Sequence, residues 1–242
     1  MSVYKMIPQS GTIYDIGTDH AHLPIFLAGK NICGKIVGSD INKGPLLAAK
    51  KNIRGEGLSD EVELRQGSGF DPIYPGSEDT VIITGMGGKA ITDILEKGKE
   101  KAKKCKCVII QPNYIIELVR DWAEKNGFII IDEMLCKEAG RIYAIIKTAY
   151  NNENPSTNRD VRHNDRNNPG YLTDDVYKYI GKKLIEKKDP LLPEYIERNK
   201  KIINHIICEI KENANADRNV KVRQLDMLCG LYENMEDIAR KL

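Results

Sequence analysis

Asp15, Gly17 and Asp19 stand at alternate positions in the stretch "TIYDIGTDHAHLP" that runs from Thr12 to Pro24. An apolar strand ends at an acid, breaks at a glycine and gives way to a helix start. A turn of this kind presents backbone N–H groups, which can receive a carboxylate, a phosphate or another polar part of a ligand. The spacing is close to a dinucleotide fingerprint, but Asp19 and Ala21 occupy its second and third glycine positions. A carboxylate at Asp19 would repel a pyrophosphate, which argues against a nicotinamide or flavin dinucleotide. A cofactor with a cationic centre would tolerate it, and S-adenosylmethionine, a sulfonium, is the common one. Asp19 could equally cap the helix that follows.

A second acid strengthens the nucleotide reading. Asp40 ends the strand "KIVGSDIN" roughly twenty residues after the glycine turn, the distance at which an α/β nucleotide fold sets a carboxylate on ribose hydroxyls. Gly67-Ser68-Gly69 then breaks the strand "EVELRQ", Gly85-Met86-Gly87-Gly88 closes the apolar run "DTVIITGMGG", and Gln111-Pro112-Asn113 closes "CVIIQPN".

These clusters need a frame that brings strand ends together. Apolar runs alternate with helical stretches: "AHLPIFLAGKN", "KGPLLAAKKNIRGEG", a helix from Lys89 and a helix through Trp122 and Asn126, before the strands "GFIIIDEMLC" and "RIYAIIKTAY". That alternation predicts a parallel sheet with helices on both faces, and ligands bind at the carboxyl ends of its strands. Residues 1–150 read as this domain and 151–169, "NNENPSTNRDVRHNDRNNP", as a linker. Residues 170–242 form a helical region: Ile196, Ile203, Ile207 and Ile210 recur at helical spacing, and Leu228, Leu231, Met235, Ile238 and Leu242 form a heptad-like stripe preceded by Leu225. The "NANADRN" break predicts an antiparallel helical pair.

Composition excludes several classes. Hydrophobic content of 41% and charged content of 30% suit a globular protein, and a formal net charge of +2 gives no global attraction to nucleic acid. No apolar run reaches membrane-span length and the opening "MSVYKMIPQS" lacks a signal-peptide core, so a cytoplasmic protein is expected. Six cysteines without a C-x-x-C pair predict reduced thiols and no metal site. Any RNA contact would need local patches. One candidate is "KGKEKAKKCK" (97–106); another joins Arg159, Arg162 and Arg166 to Lys182, Lys183, Lys187 and Lys188.

Taken together, "DIGTDHAHLP", "GSDINKGPLLAAKKNI", "RQGSGFD", "ITGMGGKAITDIL" and "IIQPN" closely resemble the TrmK family, bacterial S-adenosylmethionine-dependent tRNA (adenine-N1)-methyltransferases that act on adenine 22. The resemblance runs from about Ile13 to Thr148. It implies a Rossmann-like class I methyltransferase sheet, six strands parallel and one antiparallel, with a C-terminal helical (coiled-coil) domain. Two features depart from the family: its fuller basic helix ahead of the first strand is matched only in part, and Ser68 stands where an acid is frequent.

The resemblance also implies roles. Asp15 and Gly17 shape the first turn, with Asp19 and His20 near the amino-acid end of S-adenosylmethionine. Asp40 and Ile41 hold the ribose and flank the adenine, Gly67 and Ser68 border it, and Gly85 and Met86 approach from the fourth strand. The nucleophile is N1 of adenine on tRNA, a lone pair that needs no deprotonation, so positioning should supply most of the acceleration. N1 lies on the Watson–Crick edge, so the base must be extruded or already open. Gln111 and Asn113 could grip it by amide hydrogen bonds and Tyr114 could stack on it, or "QPNY" could be a structural turn. Asp19 is the candidate to stabilise the positive product ring, with His20 and His22 as the alternative for acid–base work. Two other readings stay open: a methyltransferase of another substrate, and a catalytically silent adaptor of the same fold.

Overall fold

The computed structural model describes residues 2–151, 174–212 and 218–242. A short 3-10 turn at Val3–Met6 leads into β1 (Ser10–Ile16), α1 (His22–Leu27), β2 (Cys33–Asp40), α2 (Lys43–Gly55), β3 (Val62–Gln66) and β4 (Thr80–Met86). Then follow α3 (Gly88–Lys97), α4 (Lys99–Ala102), β5 (Cys107–Pro112), α5 (Ile116–Lys125), β6 (Phe128–Glu138) and β7 (Arg141–Tyr150). The helices α6 (Asp174–Ile180), α7 (Lys182–Lys187), α8 (Leu192–Glu212) and α9 (Arg218–Lys241) complete the described chain.

The strands form one seven-stranded sheet in the order β3-β2-β1-β4-β5-β7-β6. Neighbours from β3 to β5 pair in parallel, and β7 pairs antiparallel with β5. Ala139 and Gly140, both with positive φ, make the tight turn from β6 to β7, so β6 again points with the parallel strands. This is the six-plus-one arrangement that the resemblance implies.

The period-2 geometry of a strand explains why the central runs are apolar throughout. Val81 and Ile83 of β4 enter one core cluster with Ile91, Leu95, Val119 and Trp122 of the helices, while Ile82 enters the other with Leu23, Leu27, Ala49 and Ile53. Helices α1 and α2 therefore cover one face and α3 and α5 the opposite face. Val81, Ile82 and Ile83 are fully buried, each contributing about 1.5–3 kcal/mol. A buried ion pair, Arg120 Nε to Glu133 Oε1 at 2.8 Å, joins α5 to β6.

One helix is shorter than its sequence suggests. The stretch "AHLPIFLAGKN" reads as a helix of eleven residues, but α1 ends at Leu27. Ala28 turns extended, and Gly29 (φ 74°) and Asn31 (φ 53°) adopt left-handed conformations that a helix cannot continue through. Pro24 sits in the first turn, where its missing N–H costs nothing.

The chain divides into two compact units. The first holds Met1–Cys136 and resumes at Tyr143; the second holds Lys137–Ile142 and the helices from α6 onward. The hairpin tip thus goes with the helices, whereas the sequence placed the whole of 1–150 in one domain. Within the second unit Lys137 pairs with Glu194 at 2.7 Å and the Arg198 guanidinium donates to the Ile142 carbonyl at 2.5 Å. Lys200 of α8 reaches Glu236 of α9 at 3.3 Å and lies 5.1 Å from the centre of the Tyr232 ring. Residues so far apart in sequence meet only if α9 runs back along α8, the expected antiparallel pair. Leu228, Leu231, Met235 and Ile238 are buried in it, as the heptad-like spacing predicted, while Leu242 is 40% exposed. The expected linker with its arginines, and the "NANAD" part of the break, lie outside the described residues.

Candidate functional site

Five neighbouring strands, β3 to β5, end on one edge of the sheet, and the turns that leave them carry the residues singled out above. Asp15 lies near the end of β1, paired with Gly38 of β2 and Ile82 of β4, and is 3% exposed. Burial pushes its pKa up to about 6, and the nearby Asp40 charge adds to the rise; Thr18 lies close enough to oppose it, although its hydroxyl makes no geometrically sound hydrogen bond. The Gly17 and Thr18 N–H groups both donate to the Ser39 carbonyl, at 2.8 and 2.9 Å, which folds the turn back over β2. Gly17 has φ 78°, and a side chain there would collide with Met86 Cε. The Met86 thioether of β4 thus rests on the bare backbone of the first turn.

Asp19 (φ 47°) and Ala21 (φ 58°) adopt left-handed conformations without being glycine. Strain of this kind persists only where the surroundings enforce it, and it concentrates at functional sites. Asp19 is exposed, with Oδ1 3.7 Å from His20 Nε2, and the His20 and His22 rings lie 5.6 Å apart. Asp19 is not the N-cap of α1; Ala21 is, and no side chain caps that helix.

Asp40 and Gly67 come together at the ends of β2 and β3. The Gly67 N–H donates to the Asp40 carbonyl at 3.0 Å, and Asp40 Oδ1 accepts from the Asn42 N–H at 2.8 Å. Gln66 Nε2 donates to the Ile41 carbonyl at 3.2 Å, which leaves the Ile41 side chain 59% exposed beside the acid. A side chain on Gly67 would strike the Pro72 ring at 2.7 Å, so the close approach of these turns requires glycine. Ser68 accepts the Asp71 N–H at its carbonyl, at 2.9 Å.

At the end of β4 the register slips between Thr84 and Met86, and Gly85 bulges out with φ 78°. Two side-chain amides from β5 and its turn hold the bulge. The Gly85 N–H donates to Gln111 Oε1 at 3.1 Å, and Asn113 Nδ2 donates to the Gly85 carbonyl at 2.6 Å. Gln111 Nε2 in turn donates to Asn113 Oδ1 and to the Pro112 carbonyl. The structure therefore brings Gln111, Asn113 and Gly85 into one network. Next to it Tyr114 is 62% exposed with its ring over Gly87, while Ile115, a β-branched residue at φ 57°, has its carbonyl against Gly88.

Thr18 is the residue that sequence reasoning passed over. Its hydroxyl is buried without a hydrogen-bond partner, packed where a side chain on Gly38 would come within 2.9 Å. The signal was a glycine in the middle of the buried strand β2, which marks a close approach by something across from it.

The lysine run 97–106 lies at the opposite end of the sheet, ahead of β5. Lys101 donates to the carbonyls of Phe70, Asp71 and Ile73 and lies 4.4 Å from the centre of the Tyr74 ring. Lys99 binds Glu96 and Asn126, Lys103 binds Glu100, and Lys106 binds the Gln9 carbonyl and Glu78. Most of the run is spent on internal ties. The cysteines are free, and burial pushes Cys105 up to about 12, far from a reactive thiolate. Among the described residues no group of His, Cys, Asp or Glu is placed to hold a metal, and no helix is long and apolar enough to cross a membrane.

The chemistry of the carboxyl edge is that of a cradle for a cationic, hydroxyl-bearing ligand. Bare backbone approaches from Gly17, Gly67 and Gly85, and acids stand at 15, 19 and 40. Comparison with known proteins bears on what that ligand is. The methyltransferase-domain family matches residues 1–146. The tRNA (adenine(22)-N(1))-methyltransferase of Bacillus subtilis strain 168 is 35% identical over 145 residues, 60% of this chain and 61% of that protein. The chain thus spans about three fifths of the length of the curated relatives it matches. Among solved structures, the B. subtilis m1A22 tRNA methyltransferase TrmK aligns with a TM-score of 0.80 at 26% identity, over 98% of this chain and 96% of that one. TrmK of M. capricolum, solved with the cofactor product S-adenosyl-homocysteine, aligns with a TM-score of 0.74 at 25% identity over the same shares.

Proposed function

The chain belongs to the methyltransferase-domain family, and from that premise we propose that it stands within it among the TrmK proteins and transfers a methyl group from S-adenosylmethionine to N1 of adenine 22 of tRNA. The observation that carries this reading is the convergence at one sheet edge of three glycine turns around Asp40, with further acids at Asp15 and Asp19. A dinucleotide would bring negative charge to these carboxylates, whereas a sulfonium ligand with an ammonium group and ribose hydroxyls matches them. The cytoplasm, where tRNA is modified, is the compartment this reading assigns.

When bound, S-adenosylmethionine supplies the methyl group on a positively charged sulfur. Asp40 would accept from the ribose hydroxyls, and Ile41, held out by the Gln66 contact to its carbonyl, would cover one face of the cofactor's adenine. Gly67 and Ser68 border that ring, while Met86 packs on the bare backbone of Gly17 beside it. Asp19 and His20 stand at the amino-acid end.

Methyl transfer to N1 needs an aligned lone pair rather than a base, so the enzyme's task is to hold the target ring still and in line. Asn113 and Tyr114, both exposed at the end of β5, would take the extruded base, the amide on its polar edge and the phenol ring against its face. Gln111 keeps the Gly85 bulge in place beneath them. As the ring gains positive charge, the exposed Asp19 carboxylate favours it electrostatically.

The test is incubation of the protein with unmodified tRNA transcript and S-adenosylmethionine, followed by mapping of 1-methyladenine. One modified site at position 22 is expected. Methylation at another position, or of none, while S-adenosylmethionine binds, would refute the substrate.

A further inference from the structure

A groove of about 590 Å³ runs between α2 and the edge strand β3, on the flank of the sheet rather than at the glycine turns. Its apolar floor includes Leu46, Ile53 and Leu64, and Leu47 stands at its rim with 69% of its surface exposed. Helix α2, "KGPLLAAKKNIRG", carries Lys43, Lys50, Lys51 and Arg54 and no acid. Lys43, Lys50 and Arg54 lie seven and four residues apart, which places them within roughly 20° of one helical stripe spanning about 16 Å. All three line the groove and are exposed, and none has an ion-pair or hydrogen-bond partner among the described residues.

The acid in the lining, Glu63, is already neutralised. Arg65 binds it at 2.7 Å and Lys35 at 2.5 Å, and these contacts, Arg65 first, hold its pKa down at about 2. The groove therefore offers uncompensated positive charge beside apolar surface. It also has a direction: its Gln66 end is the one bonded to the Ile41 carbonyl, next to Asp40 and the cofactor turns.

We infer that this stripe is an RNA-binding track, in which tRNA phosphates lie on Lys43, Lys50 and Arg54 and a ribose or base rests on Leu47. The inference rests on the proposed activity and adds the surface by which the substrate is held. A polyanion with apolar faces satisfies both the cations and the exposed leucine. RNA is favoured over an acidic protein segment because the groove's Gln66 end meets the carboxyl edge at the cofactor turns, and a tRNA is long enough to reach from there to the end of β5, four strands away, so the substrate itself is the polyanion at hand. The contrast with the lysine run is direct: there most of the charges are used internally, here they face outward.

The experiment compares the full chain with K43Q/K50Q/R54Q and K43E/K50E/R54E. S-adenosylmethionine affinity, read by calorimetry, should match wild type in the glutamine set and so certify the fold. Binding of unmodified tRNA is then measured across a salt series. Each lost phosphate contact lowers the slope of log K against log salt by roughly 0.7–0.9, so the glutamine set should lose about 2 to 3. Methylation should lose at least about tenfold in kcat/KM, through KM, with kcat kept. A glutamine set that binds tRNA with the wild-type slope overturns the track, even if the glutamate set binds weakly, because repulsion alone would explain that. Unchanged tRNA binding in both sets would leave the groove to a protein partner and also overturns it. Wild-type protein that binds S-adenosylmethionine but no tRNA at any salt overturns the proposed function, and the track with it.

Discussion

The two edges of the sheet treat their polar residues in opposite ways. At the amino edge they are consumed. Ser10 Oγ meets Thr80 Oγ1 at 2.8 Å, Asp79 accepts the N–H groups of Thr12 at 2.7 Å and Gly76 at 2.8 Å, and four lysines of the run 97–106 are tied to carboxylates, an amide or carbonyls. At the carboxyl edge groups are left available: Asp15 is buried without a cation, Thr18 has an unpartnered hydroxyl, Asp19 and Tyr114 are exposed, and three non-glycine residues are held at positive φ. One edge closes the fold and the other keeps unsatisfied chemistry for a ligand. The difference implies that acids of the same type should have effects of different kinds.

The largest expected effect is on the closed edge. Asp79→Ala removes a charged acceptor from two backbone N–H groups, each contact being worth about 1.5–3 kcal/mol. The expected loss is about 3 kcal/mol or somewhat more, with the exposed Gly76 contact contributing the smaller part. Denaturant unfolding measures it, and calorimetry should show S-adenosylmethionine affinity unchanged in the protein that remains folded. A variant as stable as wild type would remove Asp79 from the closing network.

Asp15 should act with the opposite sign. Folding raises its pKa from 3.8 to about 6. Between those values the folded protein holds more protons than the unfolded one, so stability falls as pH rises through the window and stays lowered above it. The shift corresponds to about 3 kcal/mol at neutral pH. Asp15→Asn should therefore be more stable than wild type near pH 7.5, with the advantage fading toward pH 4. Thermal unfolding of both proteins without ligand across this range checks it, and a constant difference would show that the carboxyl is not charged by pH there.

Asp40 sharpens the comparison from the binding side. Asp40→Ala should weaken S-adenosylmethionine by about 1.5–3 kcal/mol, roughly ten- to a hundredfold in Kd, while unfolding changes by under about 1 kcal/mol. Its Oδ1 caps only the exposed Asn42 N–H, so little folding energy is lost. Equal affinities by calorimetry would take Asp40 out of the site.

These contrasts also show what was legible in the chain. The strand ends were, because a glycine or polar cluster after an apolar run says where a parallel sheet opens: Gly17, Asp40, Gly67 and Gly85 do fall on one edge. The heptad-like stripe was legible too, since Leu228, Leu231, Met235 and Ile238 carry the period of a buried seam. What composition could not reveal is pairing across the fold. For Gln111 and Asn113 the sequence left a base grip and a structural turn both open, and it could not show that both amides bind the Gly85 peptide, 26 to 28 residues away. The hairpin tip 137–142 is the end of two strands, as it read, but its long-range contacts to Glu194 and Arg198, which group it with the helices, have no local signal. The lysine run read as a candidate phosphate patch for the same reason: charge density is local, whereas the partner that uses up each charge is distant.

The smallest effects test that last point within a single run. Lys101 and Lys104 are identical in type and three residues apart, but Lys101 is half-buried against three carbonyls and an aromatic ring, whereas Lys104 is exposed. Lys101→Met keeps the stem and removes the ammonium, so the carbonyls of Phe70, Asp71 and Ile73 lose a charged donor. Part of that loss is recovered by water at the exposed Asp71, so the net cost should be about 1–2 kcal/mol. Lys104→Met removes an exposed charge and should stay within about 0.5 kcal/mol. Denaturant unfolding separates the two. If the run were an RNA contact rather than a set of ties, the ranking would reverse in tRNA binding, with Lys104 the more costly loss. Equal stability of both variants would mean that the Lys101 contacts do not hold the 70–74 segment, and the division between a closed and an open edge would fail at its most densely charged point.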